Sequence, residues 1–307
     1  MEPPSAEEML HVRLGLPSGW EETVIFLLQQ EGWGAVVGET PFPGGMLQGE
    51  APPPDARVHL TLVLGVEQEQ TFAGRVARLA ADLGWSEGEW SLDFELRRKE
   101  DWEALWRRRW KPFRCGRFVV HTDFHDLERL TLRPEDRPLR LRAGSAFGTG
   151  GHSSTRMALR ALQRWFDEGP LPSVLDLGTG SGILAVASAL LGAERVLGMD
   201  PDPASASQAR ATAEANGVAA RCRFWRGGLE TATGRWHAVY ANLHSDLIAE
   251  NARWLAERAL PGCRLFAGGI LDRKAERTLR ALTAAAWNLD KSRIRGRWVT
   301  FEMRFPS

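Results

Sequence analysis

Residues 174–184 read VLDLGTGSGIL, a short apolar run that meets three glycines at alternate positions, Gly178, Gly180 and Gly182, before turning helical. Glycine permits the tight turn and lets a ligand come against bare backbone. A helix that starts there offers unpaired N–H groups to a polar or anionic ligand. Asp176 stands just before the first glycine, and a second apolar run, VLGMD, ends in Asp200, 22 residues after Gly178. A carboxylate at that place accepts hydrogen bonds from ribose hydroxyls. A third run ends in Asn242 within VYANLHSD, at a strand's carboxyl end, where α/β folds bind ligands. Its amide can take an N–H from an amine and leave that amine's lone pair aimed elsewhere. A fourth segment, AFGTGGHSST from Ala146 to Thr155, runs from glycines into hydroxyl residues suited to open a helix.

Such residues need a sheet to hold them. Residues 174–177, 195–199, 238–242 and 264–268 have the composition of buried strands. Helical stretches follow each in turn at 183–191, 204–216, 248–259 and 273–286. This alternation predicts an α/β fold with a doubly wound, mostly parallel sheet. The tail WVTFEMRF, residues 298–305, alternates and predicts a terminal strand. Ahead of these lies a smaller pattern. Residues 11–16, 34–38, 58–64 and 91–96 read as strands, 21–30 and 71–83 as helices, and 41–54 as a Pro/Gly-rich loop. The order β-α-β-β-α-β is that of a ferredoxin-like α+β domain. Between the two patterns, nine of the 21 residues from Arg97 to Arg117 are Lys or Arg, and Trp102, Trp106 and Trp110 share one helical face. The expected division is 1–96, a small acidic domain; 97–111, a linker helix; and 112–307, the doubly wound domain.

Composition narrows the class. The chain has 307 residues, 43% hydrophobic and 25% charged, as in ordinary globular proteins. No apolar run reaches the ~18 residues of a membrane span, so no membrane partner is expected. The start, MEPPSAEEML, lacks the basic and apolar regions of a secretion signal. Three dispersed cysteines, Cys115, Cys222 and Cys263, form no pair with metal-ligand spacing, so no metal is expected and a reducing, cytoplasmic setting fits. A net charge of zero conceals an asymmetry: residues 1–96 carry 16 acidic and four basic residues. The first 96 residues are therefore at 4 − 16 = −12, and the remainder at +12. An acidic first part repels nucleic acid and attracts basic proteins.

The GTGSG loop, Asp176 and Asp200 together resemble class I S-adenosyl-L-methionine (SAM)-dependent methyltransferases. A dinucleotide enzyme carries a similar loop and is the competing reading of these glycines. The wider pattern resembles the PrmA family, the methyltransferases of ribosomal protein L11. The residues that carry the resemblance are the DW…W pattern in 100–110, AFGTGGHSST, DLGTGSG with the following Ile183-Leu184-Ala185, Ala241-Asn242-Leu243, and residues 268–271.

The resemblance implies a class I, Rossmann-like methyltransferase domain preceded by a small ferredoxin-like domain that holds the substrate. It implies SAM as cofactor, S-adenosyl-L-homocysteine as product, and methylation of lysine ε-amines and the N-terminal α-amine of ribosomal protein L11. It implies cofactor contacts at Thr155, Gly178, Asp200 and Asn242. Phe147, Gly148, Thr149 and Gly150 would form a covering loop, and Gly227 would border the adenine. Gly180, Gly182 and Asp176 complete the expected cofactor set; Asn242, Phe147 and His244 are the expected catalytic residues. His244 would act as proton acceptor, and His152 would be a structural hydrogen-bonder. A monomer without stable nucleic-acid binding is the family expectation. The chain departs from the family at Gly151, Ser153-Ser154, Arg142-Ala143 and His244. These positions surround the acceptor pocket, so a relative acting on another protein, a small molecule or RNA is the alternative.

Overall fold

The computed structural model describes residues 8–17, 20–30, 33, 37–38, 57–98, 111–126, 128, 132–142, 153–295 and 297–307. The chain divides into two compact units, Met1–Lys111 and Pro112–Ser307. Phe147, Gly148, Thr149, Gly150, Gly151 and His152 lie outside the described residues, as do Trp102, Trp106, Trp110 and the expected loop at 41–54.

In the first unit the elements run β1 (Glu8–Pro17), α1 (Glu21–Gln30), β2 (Val37–Gly38), β3 (Arg57–Leu64), α2 (Glu69–Asp82) and β4 (Ser91–Arg98). The sheet order is β2-β3-β1-β4, antiparallel throughout, which is the ferredoxin-like arrangement. β1 is central because every second residue is apolar: Leu10, Val12, Leu14 and Leu16 are all buried. Val12 lies opposite Leu62 on one side and Phe94 on the other. Val24 and Leu28 of α1, with Phe72, Val76 and Leu79 of α2, join the same core. Their spacing places each set on one helical face.

The second unit opens with a three-stranded sheet that the apolar patterning leaves unannounced: β5 (Phe113–Cys115), β6 (Phe118–Thr122) and β7 (Arg137–Leu141). Gln163 ties it to helix α3 (Ser153–Glu168), accepting from the Arg117 amide at 2.7 Å and donating to the Cys115 carbonyl at 3.1 Å. There follow β8 (Ser173–Leu177), α4 (Ile183–Leu190), β9 (Arg195–Asp200), α5 (Pro203–Ala215) and β10 (Cys222–Arg226). Then come β11 (Trp236–Asn242), α6 (Ser245–Glu250), α7 (Ala252–Glu257), β12 (Ala259–Leu271), α8 (Asp272–Ala284), β13 (Asn288–Arg295) and β14 (Trp298–Arg304). Their sheet has the order β10-β9-β8-β11-β12-β14-β13. β8 to β12 pair in parallel, and β14 runs antiparallel between β12 and β13. The order reverses at β8, which places a crevice beyond the carboxyl ends of β8 and β11.

Two sequence expectations are corrected here. Residues 248–259 do not form one helix: Asn251 (φ −105°, ψ 14°) separates α6 from α7, and Ala259 already opens β12. The strand expected at 264–268 runs over the whole of Ala259–Leu271. All three cysteines are buried free thiols.

Candidate functional site

The loop after β8 is built from three left-handed glycines, Gly178 (φ 69°), Gly180 (φ 51°) and Gly182 (φ 80°). Side chains rarely adopt that region. The amides of Gly178 and Thr179 donate to the Met199 carbonyl at 2.8 and 2.9 Å, so the loop folds back onto the end of β9. A Cβ on Gly178 would lie 2.5 Å from Leu243 Cδ2, so the loop after β11 packs against it. A Cβ on Gly182 would lie 2.8 Å from Ala209 Cβ and 2.9 Å from its Cα, which sets the close approach of α4 and α5.

Asp176 is buried beneath this loop. Its Oδ2 accepts from Thr179 Oγ1 at 2.8 Å and from the Ala185 amide at 3.1 Å. Burial, the largest influence, pushes the carboxyl up to about 7 against these two hydrogen bonds. Its described bonds brace the loop and the first turn of α4, so Asp176 acts on a ligand through the backbone it shapes.

Asp200 ends β9. Its Oδ2 accepts from the Gly180 amide and its Oδ1 from the Asp202 amide, both at 3.0 Å. The Ser205 hydroxyl also hydrogen-bonds this carboxylate, which keeps capacity for a further donor. Partial burial raises its pKa, while the two amide hydrogen bonds oppose the rise. The Gly227 amide donates to the Asp200 carbonyl at 3.0 Å, which brings the segment after β10 to the same place.

Asn242 ends β11. Its Oδ1 is buried and makes no hydrogen bond among the described residues. A buried carbonyl left unpaired costs about 1–3 kcal/mol, so a ligand that donates to this one recovers that cost. The ring of close neighbours includes Gly268 of β12, where a Cβ would lie 2.7 Å from that oxygen. His244, two residues on, precedes α6, and its carbonyl accepts from the Ile248 amide at 3.1 Å. Thr155 is buried in the first turn of α3. Among the described residues no hydrogen bond ties it to the glycine loop. Phe147, Thr149 and Gly150 lie outside the described residues.

The structure thus brings Gly178, Gly180, Asp200, Gly227 and Asn242 to one edge of the sheet, with Asp176 and Gly182 supporting them from below. Leu243 and Gly268, which the sequence pattern marked without a role, belong with them, as does Gly198, which sequence reasoning passed over. A Cβ on Gly198 would lie 2.6 Å from Phe224 and 2.7 Å from Thr179 Oγ1. A glycine inside an otherwise bulky buried strand is the signal that could have found Gly198. A cleft lined by Trp165, Leu171, His237, Pro261 and Arg264 lies at the opposite, amino edge of the sheet and has no part in this cluster.

This arrangement suits a nucleoside ligand carrying a reactive group toward Asn242. The bare glycine backbone admits close approach, Asp200 offers a carboxylate for ribose hydroxyls, and the Asn242 oxygen lacks a partner among the described residues. SAM has these parts, so the residues fit it.

A family model described as Ribosomal protein L11 methyltransferase (PrmA) matches residues 19–306. The chain is similar to a protein named ribosomal protein L11 methyltransferase from Pelotomaculum thermopropionicum, 38% identical over 211 residues, 68% of this chain and 67% of that one. A protein of the same name from Thermus thermophilus is 41% identical over 202 residues, 65% of this chain and 76% of that one. Among solved structures it is similar to a ribosomal protein L11 methylase from Lactobacillus delbrueckii subsp. bulgaricus, with a TM-score of 0.57 and 25% identity, covering 62% of this chain and 96% of that one.

Proposed function

The chain belongs to the ribosomal protein L11 methyltransferase family, and from that premise we propose that it methylates lysine ε-amines and the N-terminal α-amine of ribosomal protein L11. The observation that carries the amine reading is the Oδ1 of Asn242, buried beside the glycine loop and without a hydrogen bond among the described residues. When bound, SAM supplies a methyl group on a positively charged sulfur, which passes to the amine nitrogen.

The chain's own residues position the reactants, where most of such a rate gain arises. Gly178 and Gly180 leave room for the cofactor against the backbone, and Asp200 takes the ribose hydroxyls. Asn242 accepts an N–H of the amine and so turns its lone pair toward the reacting group. That amine must be neutral, and a free lysine has a pKa near 10.4. Leaving water for the crevice favours its neutral form. In this reading His244, two residues after Asn242, is the proton acceptor. Phe147, Thr149 and Gly150 are assigned the covering role that the family resemblance implies.

Residues 1–96 serve as the substrate-holding domain and 97–111 as the linker, with the −12 charge suited to a lysine-rich client. No described helix is long and apolar enough to cross a membrane; a monomeric, cytoplasmic enzyme is the accompanying proposal. The test is intact mass spectrometry of ribosomal protein L11 after incubation with the enzyme and SAM, followed by peptide mapping. Gains in whole methyl increments on amines, abolished in Asp200→Ala, are expected. No gain on L11 in the presence of measured SAM binding would overturn the substrate assignment.

A further inference from the structure

The outer edge of the seven-stranded sheet carries a feature that methyl transfer does not use. β10 reads CRFWR, and only Cys222 and Phe224 are buried. Arg223, Trp225 and Arg226 face solvent, with Trp225 44% exposed. Two more guanidinium groups reach this edge. Arg210 of α5 donates to the Phe224 carbonyl at 2.6 Å, and Arg221, just before the strand, donates to the Ala189 carbonyl at 3.2 Å. Arg223 and Arg226 likewise donate to backbone carbonyls, of Cys222 and Pro201.

None of these four arginines forms an ion pair among the described residues, and the Trp225 ring has no aromatic or cationic partner there. Elsewhere in the same unit Arg293 of β13 pairs with Glu302, and Arg304 of β14 with Asp290. Arginines on an edge strand also deter pairing with another sheet. That role gives no reason for an exposed indole set between them.

We propose that this edge, Arg210, Arg221, Arg223 and Arg226 around Trp225, is a binding surface for RNA with unstacked bases. The guanidinium groups meet phosphates, and one base stacks on the indole. β10 spans roughly 16 Å at ~3.3 Å per residue, enough for a few nucleotides. Charge complementarity decides the occupant, since arginines without an ion pair among the described residues attract a polyanion and the aromatic face selects one with bases. The surface leads to the cofactor edge, because Gly227, next after Arg226, donates to Asp200. The proposal stands apart from the methyl-transfer reading, because RNA binding is measured without turnover.

The experiment is fluorescence anisotropy of labelled oligouridylate with the full-length protein across a salt series. The expected log–log slope is about −2 to −3, from three to four phosphate contacts at about −0.7 each. The double variant Arg221→Gln/Arg223→Gln should bind about tenfold more weakly and lose about 1.4 units of slope. Trp225→Ala should weaken RNA binding by about tenfold with the slope unchanged and leave heparin binding untouched. Thermal melts confirm that each variant is folded. Absence of RNA binding at about 50 mM salt, or equal binding by wild type and variants, would overturn the proposal. So would equal loss of heparin binding in Trp225→Ala, which marks a mere polyanion patch. A change in the sedimentation of the protein alone in the double variant would assign the edge to contact between copies instead.

Discussion

The amide of Gly180 donates to Asp200 Oδ2 at 3.0 Å, so the loop after β8 and the end of β9 are one unit. Asp200→Ala removes both the proposed ribose acceptor and this tether. Hydrogen bonds to a charged group are worth ~1.5–3 kcal/mol, so calorimetry should show SAM affinity falling by about tenfold to a hundredfold. Affinity within threefold of wild type would remove Asp200 from the cofactor set.

Asn242 and Gly268 form a second pair whose roles separate by kinetics. Asn242→Ala leaves the glycine loop intact and removes the amine acceptor. Turnover should fall by about a hundredfold, the scale for losing one positioned polar contact, while SAM binding stays nearly unchanged. Gly268→Ala pushes a methyl toward Asn242 Oδ1 and should lower kcat in the same sense. A large loss of SAM affinity in Asn242→Ala with kcat preserved would reverse the assignment.

The glycines of the loop differ in what a methyl group would strike. At Gly182 the obstacle includes the Ala209 backbone, whereas at Gly178 it is the end of the Leu243 side chain. Both also pay for a positive φ, ~1–2 kcal/mol. Urea denaturation should therefore show Gly182→Ala destabilised by about 2–4 kcal/mol, with overpacking added. Gly178→Ala should lose less stability and more activity, because a displaced Leu243 drags on Asn242.

The buried carboxyl of Asp176 makes stability depend on pH. Its pKa is raised to about 7 in the folded chain, against ~3.9 when unfolded. Between these values the folded state binds more protons, so stability falls as pH rises from about 4 to 7. Partly buried Asp200 adds in the same direction. Asp176→Asn keeps an acceptor for Thr179 and Ala185 and should flatten this slope. Melting temperatures of both proteins from pH 5 to about 8 measure it; parallel curves would exclude Asp176 as the source.

The −12 charge of residues 1–96 predicts that affinity for ribosomal protein L11 falls with salt, on the scale of a ~10 Å Debye length at 0.1 M. Titrations at two ionic strengths would show it, and salt-independent affinity would discard electrostatic capture.

Much of this was legible in the residues, for particular reasons. β8, β9 and β11 are buried along most of their length, so each reads as a mainly apolar run ending in Leu177, Asp200 or Asn242. The same runs located the glycine loop and both polar strand ends. β10 escaped notice because arginines alternate with its two buried residues. β13 is exposed along nearly its whole length and holds its place by pairing with β14, which leaves no apolar period to read. The contact of Leu243 with Gly178 and of Gly268 with Asn242 is tertiary, and spacing along the chain carries no trace of it. The split at Asn251 was missed because apolar residues continue at helical intervals across it.

The buried cysteines have a practical consequence for labelling chemistry. Burial raises the Cys115 thiol and pushes Cys222 up to about 11 and Cys263 up to about 12. The thiolate is the reactive form, so at neutral pH all three stay silent toward maleimides. A single cysteine introduced by Arg223→Cys would be the sole reactive handle in the chain. A dye fixed there would report on what docks against β10 without any need to strip the native thiols first.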